Sequence, residues 1–384
     1  MQVFSPVDET EAAAMVADVA WRKATLSIEG NGSKRGLGRL ASADAMLTLR
    51  GLRGIVSYEP EELVVTVRVG TLLTEVERVL EEKSQCLAFE PWSWSFDRDA
   101  AATIGGTIAA GVAGSRRVLL GGARDHLIGF RAINGDGGTF KAGGKVVKNV
   151  TGYDLPKLAA GSFGTLFAMT DLTLRTYPRA SAPVTLVVPN LDLERGCTLL
   201  RQAASLPYEA SGFCYLPRGA LERVNAARDW ASLAAVRFEG DSESASLRAK
   251  ACAEALGVIF EAAPGPWEHL RQLRPFATSS VLWRVSLPPS AAVAAVAALR
   301  PECFVVDWAG GLLWVEPGAN SPRNVHEIAR SFGGHAMLFR GGDEMRQGDV
   351  FQPLDATTRA LTQRLKAAFD PQGIFNPGRM YNGI

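Results

Sequence analysis

The stretch IEGNGSKRGLGRL, Ile28 to Leu40, puts four glycines, a serine and the basic pair Lys34 and Arg35 into one loop. Such a loop invites a phosphate, yet it matches neither familiar Gly-rich nucleotide loop. A P-loop needs a second glycine five residues after the first, followed by Lys, and Arg35 and Leu37 stand where that glycine would fall. A Rossmann turn needs G-x-G-x-x-G, and after Gly30 and Gly32 the third glycine is replaced by Arg35. The downstream residues also break the Rossmann pattern. AMLTLR and GIVSYEPEELVVTVRVG are both strand-like, with no long amphipathic helix between loop and strands. The loop is therefore expected to hold phosphate in a tight turn between strands, and the fold class it points to is α+β.

Working outward, Asp8 is placed to cap a helix over 9–23, because Ala12, Met15, Val16 and Val19 recur at helical spacing. TLSI then reads as a short strand running into the loop. TLLTEVERVLEEK predicts a helix over 71–83, followed by the strand-like CLAFE. From Pro91 to Gly164 glycines dominate, and glycine at that density serves close backbone approach rather than regular elements. Interleaved Ile104, Ile108, Phe130, Ile133 and Phe167 exclude a disordered segment. DLTLRTYPRASAP supplies a closing strand and a proline-containing link. Beyond it VTLVVPN, YEASGFCYL, ASLAAVRFEG and FVVDWAGGLLWVEPG read as strands, alternating with helices over 193–204, 242–255, 290–299 and 324–331. That alternation of βαβ type with antiparallel-looking hairpins suggests a separate α+β domain. A last helix over 356–369 precedes the tail DPQGIFNPGRMYNGI.

The 384 residues are 47% apolar and 21% charged, enough chain for two or three packed units. A net charge of +1 leaves no broad basic face for nucleic acid. The five cysteines are scattered without a C-x-x-C pair, which argues for free thiols in a reducing cytoplasm and against a metal or iron–sulfur site in this chain. MQVFSPVDETEA is acidic where a signal peptide is basic. The run AAVAAVAAL is far shorter than the roughly 20 residues of a membrane span. A cytoplasmic protein is expected, meeting a membrane only through a partner.

Three Gly-rich segments, 30–38, 103–122 and 161–165, together with the tail, suggest one extended ligand held by backbone N–H groups from several sides. Lys34, Arg35, Arg116 and Arg117 could offset phosphate charge, the last two equally well being solvated surface. Trp92 and Trp94 alternate as core or interface residues do, and Tyr153 and Asp154 could orient a ring or pack a turn. The segments GNGSKRGLGR, ATIGGTIAAGVAGSRRVLLGGARDHLIGF, GGKVVKNVTGYDLPKLAAGSFGTLFAMTDLTLRTYP and DPQGIFNPGRM stand here in that order. They resemble the FAD-binding domain of the vanillyl-alcohol-oxidase or PCMH type, and more narrowly the FAD-binding E subunits of bacterial glycolate oxidase. The resemblance covers about residues 16–178 and the last fifteen or so.

The resemblance implies a two-subdomain PCMH-type FAD-binding domain over 1–178, a smaller α+β cap domain over 179–345, and a segment 346–384 returning to the flavin domain. It assigns Gly32, Ser33, Lys34 and Gly38 to the FAD pyrophosphate. Thr103, Gly105 and Gly106 run along the ribityl chain and phosphates, with Ala113 and Ser115 farther along that loop. Gly161, Gly164, Thr165 and the backbone of Phe167 support the adenosine end. Asn376 and Arg379 touch the isoalloxazine region, where Arg379 or Lys148 would stabilise charge on reduction. Neither Gly-rich loop offers His or Cys for covalent attachment, so non-covalent FAD is expected. The implied partners are a catalytic flavoprotein (D-type) subunit and an iron–sulfur (F-type) subunit, acting together on a 2-hydroxy acid.

Catalytic relatives carry a histidine cluster for substrate chemistry. Here His126, His269, His326 and His335 are solitary in sequence, and only His335, in GGHAMLFRGG, is offered as a substrate-facing candidate. No catalytic residue is assigned. Besides an electron-carrying FAD subunit, the sequence is compatible with an autonomous FAD-dependent 2-hydroxy-acid dehydrogenase and with a non-catalytic assembly subunit that keeps the fold.

Overall fold

The computed structural model describes residues 1–92, 94, 100–144, 153–224 and 229–384. They form two compact units: Met1–Ala113 with Gly121–Pro178 and Arg346–Ile384, and Gly114–Leu120 with Arg179–Met345. Gly114–Leu120, part of the Gly-rich stretch in sequence, thus groups with the second unit.

The first unit holds two sheets. The strands Gln2–Phe4, Ala45–Thr48 and Leu26–Glu29 lie side by side in parallel, with Ala45–Thr48 in the centre. Ile55–Glu59, Val64–Arg68, Ala168–Arg175, Leu127–Ile133 and Thr139–Gly143 form a five-stranded antiparallel sheet in that order. The first helix is Glu9–Trp21, its N-terminus closed by Asp8, whose carboxylate accepts from the Glu11 amide at 2.8 Å. It stops short of the expected 23 because Lys23 takes a left-handed conformation at φ 54°. The helix expected over 71–83 is Leu73–Glu81, since the Thr71 hydroxyl is spent on the Arg68 carbonyl at 2.7 Å in the turn before it. CLAFE contributes only Cys86 to a strand, Gln85–Cys86, paired with Tyr177–Pro178; Leu87, Ala88 and Phe89 are buried without strand pairing.

The same apolar core serves both sheets of this unit. Phe130 stacks on Phe167 at 5.1 Å, and Phe140 and Phe369 close the group edge-on to Phe167. Phe369 ends the helix Ala356–Phe369, where the C-terminal tail begins. Lys366 is buried there and donates to Asp370 Oδ2 at 2.6 Å, to the Thr165 carbonyl at 2.6 Å and to the Phe375 carbonyl at 2.9 Å. The Asp370 carboxylate in turn accepts from the amides of Ile374 and Phe375. A buried charge that is paired and fully hydrogen-bonded escapes the desolvation penalty of an isolated one, and here it fixes the turn of DPQGIF. Phe375 then lies beside Leu26 as an added parallel bridge, with Leu26 N donating to Ile374 O and Asn376 N to Leu26 O. The tail is thereby built into the first unit.

The second unit is built on an eight-stranded sheet in the order Glu261–Ala262, Val184–Pro189, Ser232–Phe238, Gly212–Pro217, Pro301–Asp307, Leu312–Pro317, Leu282–Ser286, His335–Arg340. The alternation of strands with helices suggested βαβ units, but the strand pairings are antiparallel throughout. Helices Leu193–Ser205, Ser242–Leu256, Ala292–Leu299 and Val325–Ser331 stand within two residues of their expected bounds. Ser290 and Ala291 instead belong to a 3-10 turn, Pro289–Ala291, set by two consecutive prolines. Three strands escaped the sequence pattern, the two-residue Glu261–Ala262 among them. Leu282–Ser286 carries Arg284 at its centre, and His335–Arg340 sits between glycine pairs.

Candidate functional site

A continuous groove crosses the first unit where the opening loop meets the first Gly-rich helix. One part, about 510 Å³, is walled by Gly30, Gly32, Ser33, Lys34, Thr103, Gly106 and Arg379. The other, about 440 Å³, is walled by Leu49, Val69, Gly105, Gly164, Phe167 and Met169. They share Ile28, Glu29, Gly30, Thr103, Gly106, Ala109 and Phe163, so an elongated ligand can lie across both. The groove is polar and cationic at one end and apolar at the other, as ligand sites that combine anchoring with orientation are.

At the polar end the opening loop makes two successive tight turns, Arg35 N donating to Gly32 O at 2.9 Å and Leu37 N to Lys34 O at 3.0 Å. Gly32 at φ 78° and Gly38 at φ 82° take conformations that favour glycine. As expected, the loop is followed by a strand, Ala45–Thr48, and not by a helix. Lys34 is buried with Ser33 Oγ at 3.5 Å as its hydrogen-bond partner, and burial holds its ammonium down to about 8. The Arg379 guanidinium donates to the Lys34 carbonyl at 3.3 Å, and burial followed by the nearby charge of Arg346 brings it down to about 10. Neither cation has a carboxylate within ion-pair distance among the described residues. Arg35, by contrast, is bound by Glu29 through two contacts of 2.7 and 3.0 Å. A buried ammonium and a half-buried guanidinium, neither in an ion pair, beside a run of tight turns are the donor set that a diphosphate satisfies, since charge withdrawn from water is stable only when paired.

The middle of the groove is formed by a helix the Gly-rich texture concealed. Ile104–Ala110 starts at Thr103, whose hydroxyl accepts from the Gly106 amide at 3.2 Å. The two glycines that come after Thr103 have different reasons. A Cβ on Gly105 would stand 2.6 Å from Val69 Cβ, so Gly105 lets the helix pack on the turn that follows the strand Val64–Arg68. A Cβ on Gly106 would meet only Thr103 Oγ1, at 3.2 Å, and would otherwise project into the groove. Gly106 is therefore a cradle that a side chain would fill.

The remaining expected residues are supports. Asn376 is a clamp: its Oδ1 accepts from Ile28 N at 2.9 Å and its Nδ2 donates to Phe163 O at 2.8 Å, so its amide is consumed by backbone and it positions the groove wall. Gly38 gives its carbonyl to Arg346. Gly161, at φ 83°, donates its amide to Ile108 O. Thr165 donates its hydroxyl to Ser162 O and lends its carbonyl to Lys366. Ala113 is buried at the end of the first unit's segment. Ser115 belongs to the second unit, where it donates to Asp307 Oδ2 at 2.9 Å. Arg379, assigned to the isoalloxazine region, lies against the Lys34 carbonyl in the cationic end. Lys148 lies outside the described residues, and Asp154 pairs with Lys157 at 2.8 Å. Arg116 is not solvated surface. It is bound to Glu239 by a bidentate pair inside the second unit. Ile28, Leu49, Val69, Ala109, Phe163 and Met169 were not singled out in sequence, being apolar residues indistinguishable there from core.

Among the described residues no three His, Cys, Asp or Glu side chains gather to hold a metal, and no helix is long and apolar enough to cross a membrane.

Comparison with known proteins identifies the family and the fold. The family described as FAD binding domain matches residues 1–143, and that described as FAD linked oxidases, C-terminal domain, matches residues 350–380. The glycolate oxidase subunit GlcE of Escherichia coli is 38% identical over 361 residues, 94% of this chain and 93% of its own. The glycolate oxidase subunit GlcD of Bacillus subtilis is 25% identical, over 88% of this chain and 79% of its own. Among solved structures, 4-ethylphenol oxidase from Gulosibacter chungangensis superposes with a TM-score of 0.72 at 11% identity, covering 99% of this chain and 89% of that one. p-Cresol methylhydroxylase does so at 0.70 and 14% identity, covering 98% and 88%. The likeness to these two is one of fold, the PCMH type. With the groove and its cations in place, the chain belongs to the FAD-linked oxidases, in the family of the glycolate oxidase subunit GlcE.

Proposed function

We propose that this chain is the FAD-carrying, electron-transferring subunit of a multi-subunit glycolate oxidase, acting with a D-type catalytic flavoprotein subunit and an F-type iron–sulfur subunit, at the cytoplasmic face of the membrane. The observation that carries the reading is the buried Lys34 and the half-buried Arg379, neither with a carboxylate at ion-pair distance among the described residues, at one end of a groove left open by Gly106. When bound, FAD supplies the chemistry of accepting and passing on electrons. The chain's own residues do the holding. Lys34, Arg379 and the amides of the Gly32–Ser33 turn would receive the diphosphate, and Thr103 and Gly106 give the chain running between the two ends room to pass. Phe163, Phe167 and Met169 line an apolar end that excludes water. The Asn376 clamp and the Lys366–Asp370 pair keep these walls at fixed spacing.

The test is purification of the tagged chain under gentle conditions, with the flavin spectrum and the co-purifying proteins read together. The expected result is non-covalent FAD, released by acid, and two companion subunits. Glycolate-dependent dye reduction is expected only when those subunits are added. A colourless chain overturns the reading, and turnover by the isolated chain replaces it with an autonomous dehydrogenase.

A further inference from the structure

The second unit carries a cationic cluster of its own. Paired residues on neighbouring strands share a sheet face, and Arg284 stands opposite Trp314 on one side and Met337 on the other, with Ser286 opposite His335. Arg284 and His335 therefore lie on one face. Trp283 and Val285 lie on the other, where His326, on the helix Val325–Ser331, packs its ring against Trp283 at 5.1 Å.

An unusual hairpin brings an indole to the first face. Trp308, Ala309 and Gly310 take φ of 54°, 56° and 104° in succession. Non-glycine residues in that region are strained, and such strain concentrates at ligand sites. Asp307 holds the turn: its Oδ1 accepts from Trp308 N at 2.7 Å and its Oδ2 from Ser115 Oγ at 2.9 Å. The indole Nε1 donates to the Gly114 carbonyl at 3.1 Å. So anchored, the ring stands 4.8 Å from the Arg117 guanidinium and 5.1 Å from that of Arg284.

Neither arginine has a carboxylate within ion-pair distance among the described residues, and Arg284 Nε is buried with no hydrogen-bond partner. This contrasts with Arg116, whose charge Glu239 takes in a bidentate pair. Burial and then the charge of Arg117 hold the Arg284 guanidinium down to about 10, Asp307 opposing. Partial desolvation, and then the charges of Arg284 and Arg117, likewise press the His335 imidazole below its ordinary value. Arg117 and His335 are open to solvent, so an anion can reach the cluster.

We propose that Arg117, Arg284 and His335 form a binding site for a small carboxylate anion. Planar guanidiniums beside a fixed indole suit a planar carboxylate, which they can engage through paired N–H donors. The identity of the natural ligand as a 2-hydroxy acid, or the 2-oxo acid derived from it, rests on the function proposed above. The site itself stands on the second unit alone. Arg117 belongs to the segment that comes after the Gly106 helix in the chain, so the stretch lining the groove continues in sequence into the site.

The experiment is calorimetric titration of the full-length chain with oxalate, a probe with no hydroxyl to oxidise, at low ionic strength, with flavin content recorded on the same samples. Saturable binding at one site per chain is expected. Arg284→Met and the solvent-exposed Arg117→Gln are each expected to weaken it at least tenfold at unchanged circular dichroism, and Arg284→Lys to retain part of it. Absence of oxalate binding overturns the site, as does unaltered binding in Arg117→Gln or tighter binding of inorganic phosphate. Oxalate binding by a chain without flavin leaves the site standing and removes the function proposed above; flavin without oxalate binding does the reverse.

Discussion

Two adjacent glycines should fail in opposite ways. At Gly106 an added Cβ meets only Thr103 Oγ1, at 3.2 Å, and nothing else within 4 Å. Replacing a helical glycine gains up to roughly 0.5–1 kcal/mol of helix stability, partly offset for a β-branched residue. Gly106→Val should therefore shift the melting temperature of the flavin-free chain by no more than about 2 °C. Its methyls, however, occupy the groove. Overfilling a packed site costs about 1–3 kcal/mol, which corresponds to roughly 5- to 150-fold weaker FAD binding. At Gly105 the Cβ would stand 2.6 Å from Val69 Cβ and 2.8 Å from the Val69 carbonyl, the acceptor of the Gly105 amide. Gly105→Val should thus damage the flavin-free fold itself by about 3 kcal/mol. The assay is titration of the stripped proteins with FAD, followed by flavin fluorescence, beside thermal melts of the same stripped samples. Wild-type FAD affinity in Gly106→Val would refute the placement of the cofactor, and equal melting of the two variants would refute the division of roles.

Lys34→Met removes a buried, unpaired ammonium for a side chain of similar shape; the flavin-free protein should melt at or above the wild-type temperature while FAD affinity falls about tenfold or more, and a melt well below wild type would show a structural ion pair instead. In the second unit, burial pushes the Glu239 carboxyl up, but the hydrogen bond from Arg116, the charges of Arg237 and Arg116 and the Ser211 hydroxyl outweigh it and hold it at about 2, below its ordinary 4.5. Its stabilising effect is therefore complete above pH 4.5 and is lost as pH falls toward 2, about 3 kcal/mol at ~1.4 kcal/mol per pH unit. Glu239→Gln should flatten that acid slope in urea-unfolding experiments, and an unchanged slope would sink the account. Asp370→Ala strands the buried Lys366 ammonium and the amides of Ile374 and Phe375, and should cost about 3–5 kcal/mol; tail cleavage by a protease at the wild-type rate would contradict it.

The helices were legible because their signals are local. Asp8, Asp192, Asp241 and Asp355 each accept from an amide two or three residues ahead, and the helices they open stand within two residues of expectation. The strand Leu282–Ser286 was not legible, because Arg284 interrupts its apolar pattern for a reason lying in other parts of the chain. The helix after Thr103 was hidden for a related reason. Glycine there reads as loop, and only Val69 on one side and the open groove on the other explain why the helix carries it.

By itself, the sequence determined that the loop at Ile28 to Leu40 is neither a P-loop nor a Rossmann turn and that the fold is α+β, and spacing suffices for that, since turn geometry and helix capping are settled within a few residues. The FAD-binding family came from the resemblance of four ordered segments to it, which spacing alone does not supply. Which residues face the groove was decided only by the tertiary structure. Lys34 and Arg379 are 345 residues apart, and their missing carboxylates are a property of what packs around them. Of the neighbouring Arg116 and Arg117, the first is neutralised by Glu239 and the second left beside Trp308. Charge compensation depends on distance in space, and so the same residue type in adjacent positions is a structural pair in one case and an open cation in the other.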